Sequence, residues 1–479
     1  MEKTLEKAKR LPTTFEAYAV VLAMVIILAV GSAVFGMELK VLLLFCAAIN
    51  QILAYRCGYN FEDSIKLYSQ KISDLAGTLV IMLLIGFVIG TWMLAGTAPA
   101  LVCWLSSLIS PKFILVFSFL LTGIMSSLIG SSFATMGTLG VVMFSTAIAQ
   151  GIPAGMAAAA VICGANIGQF ISPLADVVSF ISGLNKISIY RHIKNLVPPV
   201  IIACVISLVF YFVAGMKYSS TSTSLEAVAQ LQESVKASFN TNPVVILPLV
   251  IALVMCFLKV NPAIALFTSG VSAMLVAVFI QHTPFSNCID AAWYGFDSSY
   301  MLESEVSESF AEFLNRGGSA SMADGILFIL VAMLTMSILE KAGVFEVIQK
   351  TVLSKANSVS KLAIVTSLFA SLFTVVTCDS YTTSAVMATS LRRMYVDAGY
   401  NPEKIASLGT AWCFTIEQIM PWSFIAVYSA SVYGVQVLDF VPGCIFYYAL
   451  SIALLVMTIC GYNNERVGVD FDKEEVVKA

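Results

Sequence analysis

Thr377-Cys378-Asp379-Ser380-Tyr381 lies near the middle of an apolar stretch, 361–398, that otherwise has the composition of a membrane-spanning helix. A carboxylate at the bilayer centre costs about 3 kcal/mol on insertion scales, so Asp379 is a functional candidate. The second apolar stretch of this kind, 113–150, is interrupted in the same way by Gly130-Ser131-Ser132. Backbone that leaves the helix at membrane depth is tolerated only where protein buries it or where it lines a polar cavity. Each interruption therefore reads as the tip of a hairpin turned toward a central site.

The rest of the chain agrees with a membrane setting. Of 479 residues, 59% are apolar and only 11% charged, which excludes a soluble globule. Further spans are predicted at 15–35, 38–56, 74–95, 155–182, 194–214, 243–258, 261–280, 322–340, 403–433 and 440–460. The first follows Lys3, Lys7, Lys9 and Arg10 and is too long for a signal peptide, so it reads as a retained helix. Eleven cysteines are scattered from Cys46 to Cys460 without metal-ligand spacing and read as small core residues. His192 and His282 both fall in predicted loops, which argues against a histidine proton relay or a histidine metal site. With a net charge of −3 and no basic patch, nothing points to nucleic acid, and no nucleophile–base constellation points to an enzyme.

The two halves resemble one another. Gly96 matches Gly343, Gly130 matches Asp379, Pro153 matches Pro402 and Pro173 matches Pro421, all at separations of 247 to 249 positions. Loop charge gives orientation, because cytoplasmic loops retain Lys and Arg. Arg56, Lys66, Lys71, Lys186, Arg191 and Lys194 place their loops inside; Asp290, Asp297, Glu303, Glu305, Glu308 and Glu312, against only Arg316, place 281–321 outside. Lys341, Lys350, Lys355 and Lys361 before the second hairpin, and Arg392, Arg393 and Lys404 after it, put both its ends inside. The expected fold is an all-α polytopic membrane protein. It has two inverted-topology repeats, each of about five transmembrane helices plus one re-entrant hairpin, with broken helices at the midplane. The expected division is a cytoplasmic segment 1–14, a first repeat 15–216, an external linker 217–242, a second repeat 243–460 with the external insertion 281–321, and a cytoplasmic tail 461–479.

Four breaks converge on one site: the two tips and the interruptions Asn166 to Pro173 and Thr415 to Pro421. Broken helices at corresponding places in inverted halves mark a transporter's binding site. Exposed carbonyls there suit sodium, and helix N-termini suit an anionic group. The acids in the breaks are Asp176, Asp379 and Glu417, with Asp176 and Asp379 as candidate sodium ligands. Ser131, Ser132, Thr135, Asn166, Gln169, Ser172, Ser380, Thr382, Gln418, Trp422 and Ser423 complete the candidate cation and substrate site. The same small hydroxyls also serve helix packing in membranes, and each acid could instead cap a half-helix or pair with a lysine. No cofactor is expected beyond sodium or a proton as coupling ion. The expected partners are a small inorganic cation, a small organic solute and the lipid bilayer.

At these residues the chain resembles the NhaC-type sodium/proton antiporter family. The resemblance rests on Gly90-Thr91-Trp92, Ala95-Gly96-Thr97, Gly130-Ser131-Ser132-Phe133 with Gly137-Thr138, and Gly164-Ala165 with Gly168. Ser172-Pro173-Leu174 with Asp176, Leu314-Asn315-Arg316-Gly317-Gly318, Asp379 and Pro421-Trp422 continue it, so that it runs over residues 40–460. It implies an elevator-like transport domain and a homodimer, beside the secondary active transport that the breaks point to and the inner-membrane placement with cytoplasmic termini expected from loop charge. It also implies sodium/proton exchange, with malate/lactate exchangers and amino-acid carriers among the relatives. The chain departs from the family pattern at two places: members carry an aspartate where it has Gln169, and Ser-Pro where it has Glu417-Gln418. That leaves room for an organic solute whose ammonium group Glu417 could meet.

Overall fold

The computed structural model describes residues 9–219, 232–300, 314–315, 317–352, 358–401 and 403–462, and all regular structure among them is helical. Ten of these helices are long and apolar enough to cross a membrane, or twelve if two bent pairs each count as one span. Glu303, Glu305, Glu308, Glu312, Arg316, Lys355 and Pro402, used above for topology, family motif or repeat, lie outside the described residues.

The helix Thr14–Ala33 starts at a capping box in which Thr13 and Glu16 satisfy each other's backbone amides. Arg10 Nη1 reinforces it at 2.9 Å from Glu16 Oε2. Tyr18, Leu22, Ile26 and Val30, four apart, form its exposed apolar stripe, the side a lipid-facing helix presents. Phe61–Leu94 is longer than predicted, with 34 residues, about 51 Å of helix against a hydrocarbon core of about 30 Å. Its first turns carry Glu62, Asp63, Lys66, Lys71 and Asp74, which explains why apolar patterning alone placed its start near 74.

Leu39–Arg56, Phe61–Leu94, Pro262–Phe279 and Ala323–Lys341 pack into one bundle. Trp92 Nε1 donates to Ser269 Oγ at 3.0 Å inside it. Gly86 and Gly90 let other backbone come close: Gly318 N donates to Gly86 O at 2.7 Å, and a Cβ at Gly90 would collide with Ala291 O. All eleven cysteines are free and nine are buried, as small core residues would be.

Around the tips, Pro111–Ile129 packs on Ala154–Ala165 and Ile189–Ser219, and Val359–Thr377 packs on Glu403–Ile419. Two helix pairs, one in each half, share a single separation at both ends. Pro111–Ile129 and Val359–Thr377 are 248 positions apart at both ends (359 − 111 and 377 − 129), and so are Asp176–Asn185 and Phe424–Tyr433. Left-handed residues follow suit: Gly130 with Cys378, Gly151 with Gly399, and Lys186 with Gly434. The backbone thus pairs Gly130 with Cys378 and Ser131 with Asp379, one residue away from the pairing read from sequence. What the two tips share is a left-handed cap, filled by glycine in one and cysteine in the other.

His192 corrects an expectation. It lies in the helix Ile189–Ser219, fully buried, whereas His282 is in a loop as predicted. Its neighbours Arg191 and Lys194 had given the segment the look of a loop.

Candidate functional site

The arm Val359–Thr377 ends where Cys378 turns left-handed, with φ at 57°. Asp379 then caps the arm Ser380–Ser390. Its carboxylate accepts from Tyr381 N at 3.2 Å and Thr382 N at 2.8 Å, and from the Thr382 hydroxyl at 2.5 Å. Thr377 closes the tip from below: its hydroxyl donates to Asp379 O at 3.0 Å and lies 2.7 Å from that of Thr383. The Ser380 amide donates to Glu417 Oε2 at 3.3 Å, tying the tip to the break after Glu403–Ile419. Glu417 is 1% exposed, while Asp379 is half-buried.

The first tip uses the same arrangement with neutral groups. Ser131 caps Ser132–Thr135, accepting from Ala134 N at 3.3 Å, and Gln169 Nε2 donates to Ser132 Oγ at 2.9 Å. Gln169 Oε1 is buried and without a partner. Thr135 bonds back to Ser131 O at 2.8 Å, Asn166 donates to Ile162 O at 2.9 Å, and Ser172 Oγ accepts from Leu174 N at 3.3 Å. All three of these side chains are buried.

The structure therefore brings Asp379, Ser380, Thr382 and Glu417 together at one tip, and Ser131, Ser132, Thr135 and Gln169 at the other. Ser423 donates to Glu417 O and caps Phe424–Tyr433, so it holds the second break closed. Trp422 Nε1 donates to Val375 O at 3.4 Å and walls the hairpin arm. Gln418 faces away from the acids: it donates to Ser429 Oγ and accepts from Tyr447 OH, both at 3.3 Å. Asp176 stands apart, exposed at the first position of Asp176–Asn185.

Sequence reasoning missed Tyr381 and Tyr447. The Tyr381 ring meets Phe180 at 5.1 Å and Phe414 at 6.2 Å, and its hydroxyl lies within electrostatic reach of Asp176, Glu417 and Asp379. It thus stands between the exposed acid and the buried one. Tyr447 touches Gln418 and Asn166, one from each break. An aromatic every few residues is ordinary in membrane helices, so spacing gave no signal for either.

Asp379 and Glu417 have no basic partner among the described contacts. Lys71 comes within electrostatic reach of Cys378, but its Nζ is 2.6 Å from Glu340 Oε2. Taking a carboxylate out of water without a counter-charge costs several kcal/mol per ion. A cation or a proton relieves that cost, and the donor set, carboxylates with serine and threonine hydroxyls, suits a hard cation.

Comparison with known proteins adds a family. The profile of the Na+/H+ antiporter family matches residues 164–462. A protein of Haemophilus influenzae described as an uncharacterized Na(+)/H(+) antiporter is 28% identical over 437 residues, 91% of this chain and 93% of that one. The malate-2H(+)/Na(+)-lactate antiporter of Bacillus subtilis is 27% identical over 479 residues, 99% of each chain. The arginine/ornithine antiporter of Halobacterium salinarum is 27% identical over 460 residues, 95% of this chain and 93% of that one.

Proposed function

The chain belongs to the Na+/H+ antiporter family, and from that premise we propose that it exchanges sodium for protons at the second hairpin tip, where Asp379 and Glu417 serve either cation. The observation that carries this reading is a comparison within the chain. At the separation of 248 positions, Asp379 corresponds to Ser131 and Glu417 to Gln169. Ser131 caps its half-helix as Asp379 does, and Gln169 also holds a tip serine, though it donates to the Ser132 hydroxyl where Glu417 accepts from the Ser380 amide. Neutral residues hold the first tip together from the corresponding positions, so what the acids add at the second tip is charge. Sodium would take carboxylate oxygen from both acids and hydroxyl oxygen from Ser380 and Thr382. A proton competes for the same carboxylates, and that competition couples the two flows. Ser131, Ser132, Thr135, Asn166, Gln169 and Ser172 would line the opposite wall, with Trp422 and Ser423 holding the break. Asp176 is assigned to the approach rather than to the central cluster.

The finer architecture belongs to the same proposal: repeats 15–216 and 243–460 in inverted topology, re-entrant hairpins, elevator-like movement and a homodimer in the inner membrane with cytoplasmic termini. Two helix pairs and three pairs of left-handed residues at the separation of 248 support the repeat, and loop charge supports the inversion. A second reading is favoured by the relatives named for lactate, malate, arginine and ornithine, as similar in sequence as the first. Under it an organic solute replaces one cation. Two acids without a basic partner among the described contacts favour an amine-bearing solute over a carboxylate.

The test uses purified protein in proteoliposomes loaded with a pH dye, with sodium added and no organic solute present. Sodium-driven change of internal pH that requires Asp379 and Glu417 supports exchange. Silence from sealed, correctly filled vesicles overturns it in favour of the organic solute and directs a screen of amines and amino acids.

A further inference from the structure

Glu403–Ile419 carries Glu403, Ser407, Thr410, Cys413 and Glu417 at spacings of three and four residues, which puts them on one face. All five are buried, and the two hydroxyls and Glu417 almost completely. The stripe joins a charged end to the central acid. At the charged end Arg191 Nε lies 2.7 Å from Glu403 Oε2, Lys404 Nζ donates to Tyr462 O at 2.6 Å, and Arg392 Nη1 donates to Asn185 O at 3.3 Å. At the other end Cys413 is within reach of Thr374 and Ser384 from the two hairpin arms, and Glu417 meets the Ser380 amide.

His192 stands halfway, its Nε2 3.3 Å from Thr410 Oγ1. The Thr410 hydroxyl already donates to Ala406 O at 2.7 Å, so Nε2 must be the donor in that pair. Nδ1 is then a bare acceptor, and it is buried without a partner, as is the Ser407 hydroxyl. Buried polar atoms in a native fold are met by protein groups or by ordered water. One open atom on the stripe, Ser407 Oγ, and one on the helix Ile189–Ser219 packed against it, His192 Nδ1, are each able to bond a proton-carrying water.

We propose that this stripe is the proton path between the basic end of the helix and Glu417, with His192 as its relay. The inference rests on the reading that Glu417 carries the coupled proton. A proton leaving Glu417 passes through water beside Cys413 and Ser384 to Nδ1 of His192. The ring carries it only in passing as imidazolium, a form its burial disfavours, while Nε2–H stays on Thr410, and gives it up from Nδ1 to water at Ser407 and on toward Glu403. Each step moves one proton, and every group ends as it began; uptake runs the same path in reverse. His192 is a positioning and relay residue and touches no sodium.

The experiment compares two modes of the full chain in sealed proteoliposomes: sodium-driven proton flux, and exchange of labelled for unlabelled sodium at fixed pH. Glutamine at 192 can still donate to Thr410 and cannot titrate. His192→Gln should lower proton-coupled flux at least about tenfold and leave sodium–sodium exchange within about twofold. Ser407→Ala should act in the same direction, more weakly. An equal loss in both modes means packing and overturns the relay, as does no loss in either. Glu417→Gln with proton flux intact would sink the reading of Glu417 itself, whatever His192 does.

Discussion

Glu417→Gln isolates charge from shape. Glutamine is nearly isosteric with glutamate, and its amide oxygen can still accept from the Ser380 amide, now held at 3.3 Å. The chain already holds a buried glutamine at the corresponding position, where Gln169 Nε2 donates to Ser132 Oγ at 2.9 Å. The fold should therefore survive, and removing an unpaired buried charge should hold or raise thermal stability. For transport the loss is large. A carboxylate about 4 Å from sodium contributes about 4 kcal/mol at an effective dielectric near 20. If the neutral amide oxygen recovers about 1 kcal/mol, the net of about 3 kcal/mol weakens sodium binding more than a hundredfold. Proton coupling should disappear, because the amide does not titrate. Calorimetry of sodium binding to detergent-purified protein, paired with dye-reported flux, checks both. Wild-type affinity and wild-type flux in a folded Glu417→Gln protein would refute the argument.

Asp379→Asn should keep the cap, since asparagine caps as well as aspartate, yet lose sodium dependence; transport with unaltered sodium dependence would show that the tip is not a coupling site. Gly90→Ala drives a methyl group into Ala291 O, and overpacking of this kind costs about 1–3 kcal/mol, so a lower unfolding temperature with normal sodium affinity in the surviving fraction is expected. Single cysteines replacing exposed Lys361 and Asp397, with the exposed Cys460 replaced by serine, should be labelled from one side of the membrane and a cysteine replacing Asp297 from the other. Labelling of 361 and 397 from opposite sides would exclude a re-entrant second hairpin.

Much of the helical layout was legible because lipid demands it. Spans announced themselves by composition, and interruptions by polar residues no lipid-facing helix would carry. Polar helix ends were not legible, as the early start of Phe61–Leu94 illustrates, because they look like loops until a cap such as Asn60 with Asp63 is seen. The sequence pairing of the two tips differs by one residue from the pairing of their backbone conformations, and the difference is instructive. Composition aligned the two conspicuous residues, Gly130 and Asp379, whereas the backbone aligns residues sharing a conformation. The site's residue types were readable, but their grouping was not: Gln418 and Glu417 are neighbours in sequence and face different partners.

The three acids are best sorted by what each costs the fold. Glu417 is 1% exposed and has no basic partner among the described contacts, and at the corresponding position 169 a neutral amide ties its tip by donating to Ser132 Oγ. A desolvation cost of several kcal/mol therefore stands against a single long hydrogen bond from the Ser380 amide, which is the signature of a group kept for its charge. Asp379 is half-buried and spends its carboxylate oxygens on two amides and a hydroxyl. Serine does the capping at position 131, so here too the extra charge is unneeded by the helix. Asp176 is exposed at a helix N-terminus, where an acid is mildly favourable in any protein. Its counterpart at the constant separation is Phe424, so the fold requires no acid at that position. The cost, and with it the argument for function, concentrates on the second tip; a sequence displays all three carboxylates with equal weight, and burial ranks them.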